Sequence, residues 1–369
     1  MKTYEPMTIP QPFRKFPGLV FCLSLGSGLA ACSGGDATPD GTGGSGNTAG
    51  SSTSSSGSGN GTAGSGNGTA GSATGNAGTG NTSSGSMEIV GTFQVQVLAG
   101  EDGVETGMTK IVGQVSDGPV PPNVIWTSIK EAGGCHVETP SVPFCEAGCG
   151  AEVCVAENKC QPYPLGHSVG AVTLKGVKLT GGSTELALKE IAKAYQPPAG
   201  TALEYPPFAA TDDLTLTATG GDYAAFELTT KGVAPLVFTS TDFEIDTNKA
   251  LELTWDAAPD PKASNMYIKL DISHHGGAKG LIECNVDDTG SLTIPAELIT
   301  ELMGLGVAGF PSIVAMRQSI DTAQIAPGLV KLEVSARTEQ FVTVKGYSSC
   351  TADEECLDGQ TCQMDLTCK

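Results

Sequence analysis

The chain of 369 residues carries 40 acidic and only 20 basic side chains, which gives a formal net charge of −20 at pH 7. A field of that sign repels nucleic acid and anionic membrane surfaces, so we expect neither to bind the folded part of the chain. The length suffices for two domains of average size.

The first 31 residues have the organisation of a secretory signal peptide. Arg14 and Lys15 precede a short apolar run, 16–31, which ends in small residues. The run is shorter than the roughly 20 residues that a membrane-spanning helix needs, and proline and glycine interrupt it. We therefore expect residues 1–31 to be removed from the mature protein.

The sequence Leu-Ala-Ala-Cys at 29–32 resembles the lipobox of bacterial lipoproteins. The resemblance implies cleavage before Cys32 and attachment of acyl chains to that cysteine, and two or more such chains hold a protein stably on a membrane. Ser33, rather than aspartate, follows the cysteine, as in lipoproteins directed to the outer membrane. The alternative is an ordinary signal peptide that leaves Cys32 as a spare thiol.

Residues 32–86 comprise this cysteine and a segment that is almost wholly Gly, Ser, Thr, Asn and Ala, including a tandem GSGNGTA at 57–63 and 64–70. Such a composition has almost nothing to bury, so it cannot offset the entropy lost on ordering. We expect a disordered linker with a root-mean-square span of about 40 Å.

Residues 87–345 show the period of β-strands, with apolar and polar residues alternating between turn signals. The strand candidates are 92–98, 110–115, 124–129, 170–177, 214–219, 224–229, 236–239, 250–255, 267–272, 281–286, 312–317, 329–336 and 341–345. Many short strands predict an all-β, sandwich-like body. The pattern leaves open whether this is one sandwich or two lobes dividing near residue 205.

Helical patterns are rare in the body. Residues 295–303 begin with a proline and carry apolar residues at helical spacing, which predicts a helix. Residues 184–195 fit either a helix or a strand, because Leu186 and Leu188 also alternate.

Twelve cysteines are present, of which Cys22 belongs to the signal peptide and Cys32 to the lipobox. The other ten are an even number in an exported chain, which predicts five disulfides formed in an oxidising compartment. Five of them lie in a Cys-rich insertion, 135–160, and Cys284 is expected to complete three bridges with this set. Its members are Cys135, Cys145, Cys149, Cys154 and Cys160.

Residues 346–369 form a tail with little apolar content, in which cross-links must replace a hydrophobic core. The tail resembles small secreted modules of the Dickkopf N-terminal and whey-acidic types, although it lacks the adjacent cysteine pair and the eight cysteines of the latter. Its cysteines are Cys350, Cys356, Cys362 and Cys368. Of the three possible pairings we expect the crossed one, 350–362 with 356–368, because it locks both halves together and matches the resemblance.

A wider resemblance covers most of the chain. The lipobox, the linker and the β-rich body with Leu-Glu-Leu-Thr-Trp at 251–255 and Ile-Glu-Cys at 282–284 are similar to uncharacterised surface lipoproteins of myxobacteria. Leu-Thr-Trp also resembles a strand of fibronectin type III or immunoglobulin-like domains that carries a core tryptophan.

Candidate catalytic and metal-binding residues are few. Asp-Thr-Gly-Ser at 288–291 matches the signature of aspartic proteases, but the chain has no second such loop, so we expect a turn between two strands. We expect each aspartate and glutamate side chain to be exposed. We expect the pair His274-His275 to lie in an exposed loop. Zinc at His136 or His167 is disfavoured because an oxidising compartment favours disulfides over thiolates.

These observations favour a non-catalytic, lipid-anchored protein of the cell envelope, on the outer membrane, that displays a β-sandwich for binding or for a structural role. We expect membrane contact through the lipid, a glycan or protein partner, and no cofactor or metal. The alternative is a hydrolase that acts on polysaccharide or protein outside the cell, which requires a cleft with converging titratable groups.

Overall fold

The computed structural model describes residues 87–99, 107–357 and 359–369. The predicted signal peptide, Cys32 and the whole of the predicted linker, 32–86, lie outside the described residues. Strands dominate the described ranges, which contain a single α-helix, so the predicted all-β class is confirmed. Within these ranges no helix has the length and apolarity that a membrane span requires.

Twenty strands can be assigned in the described ranges. The first ten are β1 (Ile89–Leu98), β2 (Met108–Ser116), β3 (Ile125–Ala132), β4 (Cys135–Ser141), β5 (Val153–Ala156), β6 (Lys159–Gln161), β7 (Gly166–His167), β8 (Val172–Lys175), β9 (Glu185–Ile191) and β10 (Ala194–Gln196). The others are β11 (Asp213–Ala218), β12 (Phe226–Lys231), β13 (Glu244–Ile245), β14 (Leu251–Thr254), β15 (Asn265–Asp271), β16 (Leu281–Asp287), β17 (Ser291–Ile294), β18 (Ser312–Gln324), β19 (Leu329–Phe341) and β20 (Thr343–Val344). Helix α1 spans Ala296–Gly304, and a 3-10 turn spans Asp353–Glu355.

Fourteen strands form one continuous sheet in the order β12-β11-β8-β9-β10-β2-β1-β19-β18-β15-β16-β4-β3, with β7 beside β2. Within this sheet, β1 and β19 are parallel and the other pairs are antiparallel. The two longest strands, β18 and β19, lie near the middle of this order and pair along their full length. Three two-stranded pairs lie apart from it, namely β13 with β20, β14 with β17 and β5 with β6.

One end of the sheet curls back so that its edge strand, β12, meets β18. The backbone N–H of Thr229 donates to the Asp321 carboxylate over 2.8 Å, and that of Lys231 donates to the Ser319 hydroxyl over 3.3 Å. These side chains satisfy edge N–H groups that would otherwise be open to pairing with another chain. The result is a barrel-like lobe closed by side chains rather than by a strand ladder.

Aromatic side chains fill the inside of this lobe. Phe93 on β1 lies 5.7 Å from the ring of Tyr195 and 6.3 Å from that of Phe226. Opposite Phe93 stands Gly113 on β2. A Cβ atom at that position would come within 2.0 Å of the phenyl ring. The glycine therefore makes room for the largest core side chain of β1.

The other end of the sheet belongs to a second lobe, where β15, β16, β4 and β3 follow β18. Helix α1 packs on β3, β4 and β16, and the β14–β17 pair adds Leu253 and Ile294 to the core. The buried side chains of both lobes form one contiguous cluster, and the β18–β19 hairpin runs through both. Residue 205 does not divide the lobes, because β11, which follows it, pairs with β8, which precedes it.

Several local expectations are corrected by the structure. Residues 236–239 do not form a strand, since only Phe238 makes an isolated bridge, to Trp255. The backbone carbonyls just before them, at Ala234 and Pro235, accept hydrogen bonds from Arg317 instead of a strand partner. Residues 184–195, which fit either a helix or a strand in the sequence, form a strand hairpin with a turn at Ala192 and Lys193.

The crossed pairing of the tail and the grouping of the other six cysteines into a separate set of three bridges are confirmed, whereas the partners within that set had not been predicted. Disulfides join Cys135–Cys284, Cys145–Cys154, Cys149–Cys160, Cys350–Cys362 and Cys356–Cys368. One boundary of the Cys-rich insertion was wrong, because Cys135 is the first residue of β4 and lies in the main sheet. The tight turn at Gly133-Gly134, where both residues have positive φ, returns the chain from β3 directly into β4.

The disulfide-rich tail is attached to the body through backbone groups. Gly309 donates its N–H to the carbonyl of Asp365 over 2.7 Å, and the Ser349 hydroxyl donates to the Gly309 carbonyl over 2.6 Å. Cys350 is fully buried at this junction. The tail therefore packs onto the loop that follows α1.

Candidate functional site

Three ligand-type side chains converge on the outer face of the sheet, opposite the core. His136 and Glu138 alternate along β4 with the buried residues Cys135 and Val137, so they share the other face. Glu283 on β16 stands directly opposite His136 in the antiparallel register. One imidazole nitrogen and two carboxylate oxygens of this group lie within 4.8 Å of one another.

The environment of Glu138 disfavours the ionised form of its carboxylate. It is only 9% exposed, and its carboxylate lies 3.3 Å from the imidazole Nε2 of His136. Burial, followed by the negative charge of Glu283, raises the pKa of Glu138 above its ordinary value. A positive charge placed between the two carboxylates would oppose both effects.

Tyr267 on β15 holds Glu283 in place from the neighbouring strand. Its hydroxyl donates to Oε1 of Glu283 over 2.5 Å. Burial strongly raises the pKa of this phenol, and the hydrogen bond to Glu283 adds to the shift. Tyr267 thus remains a hydrogen-bond donor at neutral pH and fixes one oxygen of the carboxylate.

Sequence reasoning missed this cluster. The sequence pattern places His136 and Glu138 in the Cys-rich insertion, 135–160, instead of on a strand. Their shared face could therefore not be recognised. Glu283 comes from a remote part of the chain, and only the β4–β16 register brings it to His136. The available signal was the His-x-Glu alternation beside Cys135, which is bonded to Cys284.

The Asp-Thr-Gly-Ser segment forms the predicted turn between β16 and β17, with Gly290 at a φ of +94°. The expectation of an exposed carboxylate was wrong for Asp288, which is fully buried. Its oxygens accept hydrogen bonds from Arg317 Nε at 2.5 Å, Trp255 Nε1 at 2.8 Å and the Ser264 hydroxyl at 2.9 Å. Every one of these partners is a donor, so Asp288 is an internal counter-ion.

The histidine pair lies in a bend rather than on an extended strand. His275 has a φ of +64°, and the two imidazole rings lie 3.9 Å apart. His275 is exposed as predicted, whereas His274 is half-buried, and burial followed by the neighbouring His275 lowers its pKa. Trp126 and Asp271 line the same depression beside them. A second depression lies along α1, next to Lys130 and Glu301.

His167 takes part in a different polar network. Its Nδ1 lies 3.2 Å from Asp222, and the adjacent Ser168 hydroxyl donates to Glu190 over 2.5 Å. This hydrogen bond from Ser168 is the main reason why the pKa of Glu190 is lowered. The Ser168 hydroxyl is bonded to a carboxylate rather than to the imidazole of His167. These two residues therefore lack the arrangement of an activated nucleophile.

All ten cysteines of the described ranges are in disulfides, so none of them offers a thiolate for zinc at His136 or His167. Five disulfides indicate an oxidising environment, such as the cell envelope or the extracellular space. No protein-family model matches the chain, and no curated protein matches it.

Proposed function

We propose that this protein is a lipid-anchored, non-catalytic protein of the cell envelope, on the outer membrane, that displays its β-body for binding or for a structural role. The sequence at 29–32 supports the anchor, and the disulfides of the body support an exported location. The composition of 32–86 supports its use as a spacer between the two.

The pairing of the cysteines is the observation that carries this proposal. Each cysteine of the described ranges is bonded to another one within them. None of them is therefore available to bond with Cys32, as the proposed acylation of that residue requires. Cys22 would leave with the signal peptide.

A binding role is supported by the apolar surface of the Cys-rich excursion between β4 and β7. Val142, Phe144, Tyr163 and Leu165 are each at least half exposed, and Phe144 reaches 69%. Two disulfides and the hydrogen bond from the N–H of Asn158 to the carbonyl of Phe144 hold this segment. Contiguous exposed apolar patches mark protein-interaction surfaces, and we propose that these side chains form such a patch.

The hydrolase alternative is less well supported by the same geometry. The strongest convergence of titratable side chains, at His136, Glu138 and Glu283, lies on an outer sheet face. Neither of the two depressions described above includes these residues. This arrangement favours display over hydrolysis, for which converging groups inside a cleft are expected.

Replacing the anchor residue tests the proposal. We expect Cys32→Ala to abolish acylation and to move the protein from the membrane fraction to the soluble fraction or to block its processing, because the acyl chains supply the membrane affinity. Fractionation and mass spectrometry of the mature amino terminus measure both effects.

Cys22→Ala is the matched control, since it removes another cysteine near the amino terminus without touching position 32. It should leave membrane attachment and the mature mass unchanged. An unmodified Cys32 at the mature amino terminus, or membrane attachment that survives Cys32→Ala, would refute the anchor.

A further inference from the structure

We propose that His136, Glu138 and Glu283 form a binding site for one Zn²⁺ ion on the outer face of the sheet. The proposal goes beyond the display function, because it gives this face a ligand that neither the anchor nor the fold requires.

The backbone places these three side chains in a triangle. His136 and Glu138 are two residues apart on β4, so they point to the same side, and Glu283 faces His136 across the β4–β16 ladder. Their candidate ligand atoms lie within 4.8 Å of one another. Ligand atoms around a tetrahedral Zn²⁺ are roughly 3.4 Å apart, given bonds of about 2.0–2.1 Å. Binding would therefore draw these atoms together through rotation of the side chains.

The donor set favours a divalent transition-metal ion such as Zn²⁺ over Ca²⁺ or Mg²⁺. One imidazole nitrogen and two carboxylate oxygens suit Zn²⁺, whereas Ca²⁺ prefers six to eight oxygen ligands. Three protein ligands would also leave a fourth position of the tetrahedron open to water or to an oxygen atom of a bound partner.

Charge supports the same assignment. Among the described residues, His136 is the sole basic side chain within ion-pair distance of Glu138, and Glu283 has none that close, with Lys269 opposite it on β15 lying beyond that distance. Two neighbouring carboxylates, one of them nearly buried, are thus left without a full counter-charge. A divalent cation at the centre of the triangle supplies that charge.

Tyr267 acts as a positioning residue for this site. Its hydroxyl occupies one oxygen of Glu283, which leaves the other oxygen for the metal. Hydrogen bonds of this kind orient the groups that bind a metal and tune its affinity. The disulfide Cys135–Cys284 joins the same two strands on the core side and keeps their register fixed.

The test measures Zn²⁺ binding to the full-length protein after treatment with EDTA and dialysis. Titration calorimetry and elemental analysis should show one Zn²⁺ per chain, retained in excess Mg²⁺ and Ca²⁺. We expect Glu138→Gln and Glu283→Gln, which keep the side-chain shape, each to weaken binding at least about tenfold, and Tyr267→Phe to weaken it by roughly 10-fold to 100-fold. His136→Ala should abolish stoichiometric binding.

Two controls keep the outcome decisive. Glu252→Gln removes an exposed carboxylate on β14 and should leave Zn²⁺ affinity unchanged. His274→Ala should also leave it unchanged, since the other histidine pair lies outside the proposed site. Melting curves without metal establish that each variant is folded, and the two glutamine variants provide independent tests if one of them is not.

The proposal is overturned if the protein retains no Zn²⁺, if both glutamine variants bind as tightly as the native protein, or if binding is lost on His274→Ala. Cys32→Ala should bind Zn²⁺ normally, so that lipid anchoring and metal binding succeed or fail separately.

Discussion

Replacing Asp288 by alanine should destabilise the protein by about 3–5 kcal/mol, which is the cost of leaving one partner of a buried ion pair uncompensated. Arg317 is 1% exposed and Asp288 is fully buried. Without the carboxylate, the guanidinium would keep only backbone carbonyls as partners, at Ala234, Pro235 and Asp256. Urea unfolding of the native and variant proteins measures the difference.

The control is the double variant Asp288→Ala with Arg317→Met, which removes both charges. It should recover part of the lost stability, because replacing a buried ion pair by apolar groups costs less than breaking it. Ser264→Ala removes only one hydrogen bond to Asp288 and should cost about 1 kcal/mol. A loss below about 1 kcal/mol for Asp288→Ala alone would contradict the role of this pair.

The same ion pair gives stability a defined dependence on pH. Burial alone would raise the pKa of Asp288, but the hydrogen bonds and charge of Arg317, together with Trp255, bring it below its ordinary value. A carboxyl with a lowered pKa in the folded state stabilises the fold above its unfolded pKa of about 4 and loses that contribution as the pH falls further. We expect Asp288→Asn to flatten this part of the stability curve, as measured by unfolding between about pH 5 and pH 2. An unchanged slope would exclude Asp288 as its source.

Removal of the Cys135–Cys284 disulfide should lower the stability of the whole body by an amount comparable to the loss expected for Asp288→Ala. The bridge spans 149 residues, and chain entropy for such a loop corresponds to about 5 kcal/mol. It also joins β4 to β16 beside the core, where both cysteines are buried. We expect Cys135→Ala with Cys284→Ala to lower the melting temperature of the body markedly under non-reducing conditions.

The matched control is Cys145→Ala with Cys154→Ala, which opens a ring spanning only nine residues. The entropy of this ring corresponds to somewhat less than about 3 kcal/mol, and the loss should remain local. The reason is that the core contains no side chain between Val137 and Val169, so the excursion can open while the body stays folded. Equal melting temperatures for the two double variants would contradict this assignment.

Features that depend on near neighbours could be read from the sequence. The alternation of β14 and β15, the helix after Pro295 and the turn at Gly290 are each determined within a few residues. The crossed tail pairing was expected because it locks both halves of a short segment together and matches the resemblance to small secreted modules, and the structure shows it. Here the local propensity and the final fold agree.

Residues 236–239 show that a local sequence pattern is not sufficient to predict a strand. The segment is apolar and β-branched enough to form a strand, yet backbone pairing needs a partner in register. Arg317 takes the carbonyls before it, and Phe238 makes a single bridge instead of a ladder. The competing partner lies far away in sequence, so no local pattern could reveal it.

By itself, the sequence determined the all-β class, the number of disulfides and the oxidising environment that they indicate, because composition, period and cysteine count are properties of the chain alone. Only the tertiary structure decided that Asp288 is buried and that Glu283 joins His136 and Glu138. The physical reason is register: a pairing shifted by one residue would move every side chain of β16 to the opposite face. That register is set by contacts among distant strands and by the Cys135–Cys284 bridge, which no single segment encodes.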